Sequence, residues 1–211
     1  MGANCCQGGC QPPSGGTTLR FRRALWAALA INAGMFVVEI VAGMAAGSSS
    51  LQADSLDFLG DAANYAVSLF VLGMSLRRRA QASVIKGATM GAFGLWVIGN
   101  TLLHALNGTV PESQVMGAVS IAAFIANVTV AIMLYAFREG DSNMRSVWIC
   151  SRNDAIGNLA VLAAAGGVFA SGSGWPDFAV AGIMAALALS GAYQVLRHAL
   201  AELRYSPVVQ G

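Results

Sequence analysis

Charge is what this chain has least of. Only 10% of its 211 residues are charged, 56% are hydrophobic, and the mean hydropathy is +0.62. A soluble domain carries about 25% charged residues. So few charges cannot coat a globule of this size, which leaves an integral membrane protein. Other absences narrow the class. No basic patch is interleaved with aromatics, so the net charge of +2 is no sign of nucleic acid. No phosphate-binding glycine loop is present, which argues against a nucleotide-driven pump. No cleavable signal peptide is expected either: Met1 to Gly16 are polar and rich in Gly, Pro, Ser and Cys, and apolar sequence starts only after Arg20-Phe21-Arg22-Arg23. The first span is therefore expected to stay as a signal anchor. The apolar stretches lack the period-two alternation of a membrane barrel.

What is there is a set of apolar stretches, each long enough to cross a bilayer as a helix of about 20 residues. They lie at about 24–45, 51–76, 84–106, 114–136, 146–170 and 177–200. With backbone groups unable to bond to lipid, six transmembrane α-helices and an all-α integral membrane fold are expected. The connectors Gly47–Ser50, Asn107–Ser113 and Ser171–Pro176 contain no Lys or Arg. Arg20, Arg22, Arg23, Arg77, Arg78, Arg79, Lys86, Arg138, Arg145, Arg197 and Arg204 fall at the opposite ends, eleven of the twelve basic residues. By the positive-inside rule, both termini are cytoplasmic. The chain then divides into a Cys-bearing tail over 1–19, a transporter domain over 20–203 and a short tail over 204–211, with no room after the last span for a soluble domain.

Ser48-Ser49-Ser50 are placed to cap helix 2. Pro176-Asp177 puts proline where helix 6 should start and a carboxylate at its positive end, so Asp177 reads as a cap, and Glu112 before helix 4 reads the same way.

Four aspartates fall inside spans, and acids in a membrane usually line an ion or proton path. At about 100° per residue, Asp54, Asp57 and Asp61 point to about 0°, 300° and 340° on helix 2, one face over two turns. Three carboxylates so close cannot all stay ionised in a low dielectric without a cation, so either some are protonated or a metal ion is bound. On helix 5, Cys150, Asp154 and Asn158 share a face at i, i+4 and i+8. Two donors from each helix would make the four-coordinate shell that Zn²⁺ prefers. A thiolate pulls selectivity toward Cd²⁺, whereas an oxygen-dominated shell tolerates Mn²⁺, Fe²⁺ or Co²⁺. Asp54, near the outer end of helix 2, has two readings, a helix cap or a further metal or proton group. Glu39, midway along helix 1, relays protons or pairs with Arg152. Cys5, Cys6 and Cys10 in the tail either capture a soft metal or are adventitious thiols kept reduced by the cytoplasm. His104 and His198 have no ligand neighbour one turn away and read as structural, and the small residues Ala163 to Gly167 read as a helix-packing surface.

At these residues the sequence resembles the cation diffusion facilitator family. The resemblance runs through Glu39 and Gly43, Gly47 to Leu51, Ala53 to Asp61, Asn153 to Asn158 and Trp175-Pro176-Asp177, and covers essentially the whole chain. It implies six spans with cytoplasmic termini, metal pairs at Asp57/Asp61 and Cys150/Asp154, a homodimer, and export of divalent transition metals, usually Zn²⁺, in exchange for protons by alternating access. The metal is cargo and no cofactor is implied. The expected location is the inner membrane of a bacterium. The sequence departs from the family in having no histidine at those four positions and Arg152 between the helix 5 donors, and the family's cytoplasmic metal-binding domain is not expected here. Without histidine, the exchanged protons fall to carboxyl groups or a thiol. The alternatives are an exporter of Co²⁺, Fe²⁺ or Mn²⁺, or a membrane metal sensor that does not transport. An intramembrane aspartyl protease is disfavoured because no G-x-G-D sequence occurs.

Overall fold

The computed structural model describes residues 19–70, 76–137 and 142–205; for Phe70, Leu76, Arg79, residues 142–153 and Tyr205 it describes the backbone alone. Six helices account for almost all of these residues: α1 Leu19–Ala46, α2 Ser49–Phe70, α3 Leu76–Leu106, α4 Ser113–Tyr135, α5 Ser142–Ser171 and α6 Trp175–Tyr205. Among the described residues there is no strand, and the expected all-helical membrane fold stands. Five of the helices are long and apolar enough to cross a bilayer. The exception is α2, whose 22 residues include Gln52, Asp54, Asp57 and Asp61. At about 33 Å it is long enough, but its polarity requires shelter, and it packs against α1, α3, α5 and α6.

The other helices pair closely, α3 with α6, α4 with α5 and α1 with α2. Without a hydrophobic drive between helices in lipid, such pairs depend on close packing through small residues. A side-chain carbon on Gly87 would lie 2.9 Å from Leu196, and one on Gly94 2.9 Å from Leu189, so α3 and α6 meet where glycine leaves room. The Ala163–Gly167 run is only partly a packing surface: Ala164 and Ala165 are buried against Leu51, Met116 and Val168, whereas Ala163 and Gly166 face outward. On α4 the buried positions are Met116, Ser120, Ala123, Asn127, Val130 and Leu134, a spacing of three and four that marks a single inward stripe.

Helix limits differ from the apolar stretches mainly at the basic ends. The helical backbone does not stop at the hydrocarbon boundary: α1 takes in Arg20, Arg22 and Arg23, α3 carries Arg77 to Arg79 in its first turn, and α6 continues through Arg204. At the other end, α1 stops at Gly47, whose φ of 65° suits glycine. The Ser48 amide donates back to the Gly43 carbonyl at 2.9 Å, the long-range bond of a Schellman motif.

The expected caps are partly rearranged. Ser48 caps α2, its Oγ accepting from the Leu51 amide at 3.2 Å. Asp177 is a cap, yet it serves another helix. From the first turn of α6 its carboxylate reaches the start of α2, accepting from the Ser49 amide at 2.7 Å, the Ser50 amide at 3.0 Å, and the hydroxyls of Ser48 and Ser50 at 2.7 and 2.6 Å. Glu112 stands at the N-cap of α4 but its side chain makes no capping bond. Its amide donates instead to the Ala46 carbonyl at 3.0 Å, tying α4 to the end of α1.

Candidate metal and proton site

Helix α2 carries most of the site, and its burial pattern shows which side faces inward. Asp54 and Asp61 are buried, and Asp57 is half-buried. Two aromatic groups from the same helix bound the acids: Phe58 is buried beside them, and Tyr65 Oη donates to Asp61 Oδ2 at 2.8 Å. Below Tyr65 the interior closes with Phe21, Leu25, Ala28, Val130 and Leu134. On the outer side Leu51 packs with Met116, Val161 and Val168. The acids therefore lie between two apolar plugs.

Across the interface, Asp61 interacts with Asp154 of α5, and also with Asn64 one turn along α2. This joins the two helices expected to supply ligands. Asn158, one turn beyond Asp154, is buried with neither side-chain polar atom bonded to a described residue. Asn127 of α4 and Asn32 of α1 each bury an unpartnered carbonyl oxygen. Buried polar atoms are rarely left unpaired, so several oxygens remain available in the interior.

Glu39 is wholly buried and faces Asp54, with Asp57 the next nearest charge. Neither of its carboxyl oxygens, nor Asp54 Oδ2, has a hydrogen-bond partner of ordinary geometry among the described residues. The acids thus form a file from α1 to α5: Glu39, Asp54, Asp57, Asp61 and Asp154, each interacting with the next. Asp54 faces Glu39 rather than capping α2; that helix end is already satisfied by Ser48 and Asp177.

Among the described residues, no three His, Cys, Asp or Glu side chains are grouped closely enough to hold an ion. The side chains of Cys150 and Arg152 lie outside them, as do Cys5, Cys6 and Cys10. His104 is an interhelical contact, its Nδ1 3.3 Å from Ser49 Oγ, and His198 is exposed.

Two residues beside the acids, Asn64 and Lys86, escape the sequence reading. Lys86 of α3 donates from Nζ to Asn64 Oδ1 and acts electrostatically on Asp61. By sequence it passes for one more cytoplasmic flanking charge. Two signals set it apart: its place ten residues into α3, about 15 Å along the axis, and its being the only lysine in the chain.

Residues 25–204 match the family model for the cation efflux transmembrane domain, nearly the full helical bundle. The chain belongs to the cation efflux family. A relative from Bacillus subtilis (strain 168), named cadmium, cobalt and zinc/H(+)-K(+) antiporter, is 23% identical over 181 residues. That alignment takes in 79% of this chain and 58% of the relative, so this cation efflux protein spans little more than half the length of that protein. Together with the apolar helices, the match makes the chain a multi-pass membrane protein of the cation diffusion facilitator kind.

Proposed function

We propose that this protein exports divalent transition metals from the cytoplasm in exchange for protons, with Zn²⁺ and Cd²⁺ favoured, through Asp57, Asp61, Cys150 and Asp154. The observation that carries the reading is the contact between Asp61 of α2 and Asp154 of α5. Carboxyl groups from two separate helices meet where water is scarce and apolar side chains close both ends. There, a cation and protons are alternative ways of balancing the same charge. Metal entering from the cytoplasm displaces protons from the carboxyl groups, and protons arriving from the outer side displace the metal. Alternating access then requires the two apolar plugs to open in turn, never together.

The metal preference rests on chemistry and on a name. A thiolate at Cys150 would favour the softer ions, and the Bacillus relative is named for cadmium, cobalt and zinc. Cobalt in that name keeps a harder shell, one dominated by Asp57, Asp61 and Asp154, as a second reading. The same name includes potassium beside the proton as counter-ion. We further propose that the protein works as a homodimer in a bacterial inner membrane, with both termini in the cytoplasm.

Uptake into inside-out vesicles tests the reading. Zn²⁺, Cd²⁺, Co²⁺, Mn²⁺ and Fe²⁺ are each offered with a proton gradient, with a K⁺ gradient, and with neither. Accumulation of Zn²⁺ or Cd²⁺ driven by the proton gradient is expected. Metal binding without accumulation would make the protein a sensor and end the transport reading.

A further inference from the structure

We propose that Lys86 is a tethered cation that balances the carboxyl site when no metal ion occupies it, and that a bound metal must displace it. This role rests on the metal-site reading above and adds a residue and a direction of effect to it.

Geometry supports the role first. The Lys86 ammonium donates to Asn64 Oδ1, and Asn64 lies one turn along α2 from Asp61 and interacts with its carboxyl group. Asp61 in turn contacts Asp154 and accepts from Tyr65. A single residue thus separates a full positive charge from the carboxyl pair that joins α2 and α5. The other charges of α3 behave differently: Arg77 and Arg78, in its first turn, are exposed, whereas Lys86 is half-buried.

Chemistry favours lysine for this task. An ammonium is a compact point charge on a flexible four-carbon stem. It can lean toward a carboxylate or withdraw by changing rotamers, without movement of the backbone. Asn64 offers an oxygen that keeps the ammonium close to Asp61, so the charge need not leave the bundle. An emptied exporter must bring its binding groups back through an apolar interior, and any carboxylate that the returning protons leave ionised makes that return costly. A nearby internal cation lowers that barrier. It also repels the metal, so it weakens binding and hastens release. An exporter gains from both effects, because a metal held too tightly does not leave.

The test uses the purified full chain in nanodiscs, with Cd²⁺ alone titrated by calorimetry, and the same variants in vesicle uptake. Lys86→Gln removes the charge, Lys86→Met replaces the stem with an apolar one of similar length, and Lys86→Arg keeps the charge. Removing a unit charge near the site should tighten Cd²⁺ binding on the order of tenfold at low salt, while uptake slows because release is delayed. Lys86→Arg should restore affinity toward the original value. A purely structural lysine would give the opposite sign, since a disturbed site binds more weakly. Unchanged or weakened Cd²⁺ binding in both Lys86→Gln and Lys86→Met overturns the proposal. Asp61→Asn in the same titration separates the two ideas: if it binds Cd²⁺ normally, the metal-site reading itself has failed, whatever the lysine variants do.

Discussion

Ser50 and Asp177 stand 127 residues apart in sequence and are bonded twice, through the Ser50 amide at 3.0 Å and its hydroxyl at 2.6 Å. With the Ser48 and Ser49 bonds, one carboxylate from α6 satisfies the first two amides of α2, and Ser48 satisfies the third. An open helix start of this kind leaves orphan donors, and here they are wholly buried. Asp177→Ala would strand those amides and hydroxyls together. A loss of about 3 kcal/mol is expected, seen as an earlier thermal unfolding midpoint in detergent. Asp177→Asn, which keeps one acceptor oxygen, should fall between Asp177→Ala and the unaltered protein.

Asp61→Asn and Asp154→Asn should each abolish metal export, because they disable the same α2–α5 contact. Their effects should not add, as expected of residues that act as a unit. Zinc and cadmium tolerance of cells making each single and the double variant measures this. Tolerance at the original level in either single variant would remove that residue from the site. Tyr65→Phe, which deletes the bond to Asp61 at 2.8 Å, should reduce export without abolishing it.

Glu39→Gln separates counter-ion handling from metal binding. Glu39 interacts chiefly with Asp54 and only more weakly with the metal-pair residue Asp57. Cd²⁺ affinity by calorimetry should stay near its original value, while proton-driven uptake falls severalfold. A parallel loss of affinity would place Glu39 in the metal shell.

Cys150→Ser should lower Cd²⁺ transport more than Co²⁺ or Mn²⁺ transport, since only the softer ion depends on sulfur. Competition between Cd²⁺ and Co²⁺ in one vesicle preparation reads the ratio directly. An unchanged ratio would show that Cys150 is not a ligand.

The helices are legible in the sequence because lipid imposes length and apolarity on them, and the acids of α2 are legible because one helix fixes its own angular spacing. Asp57 and Asp61 can be placed on a face, and Asp154 on another, without knowledge of any neighbour. What stays hidden depends on which faces meet. Asp177 looks like a cap for its own helix, and only packing reveals that α2 takes its oxygens instead. Lys86 looks like a flanking charge, because hydropathy counts it with Arg77 to Arg79 and cannot show it turning toward Asn64. The file from Glu39 to Asp54 likewise crosses from α1 to α2, and no periodicity within either helix reports on a partner. Glu112 errs in the opposite way: it holds the capping position, but its side chain stays in solvent while its amide forms the tie.

The seam between α1 and α2 continues outward from the acids. At Gly43 a side-chain carbon would lie 2.9 Å from Gln52 Cγ and 3.0 Å from its amide nitrogen, so α1 and α2 touch almost backbone to backbone there. Gln52 fastens that seam, donating to the Gly43 carbonyl at 3.3 Å and accepting from Asn100 of α3 at 2.6 Å. Glu39 and Asp54 sit just inward of this clasp, one on each strip. Close-packed matter transmits strain instead of absorbing it. Any push that shifts the first helix near its outer end is therefore handed to the second with little slack, and the gap between those two carboxyl groups is kept while the bundle around them moves.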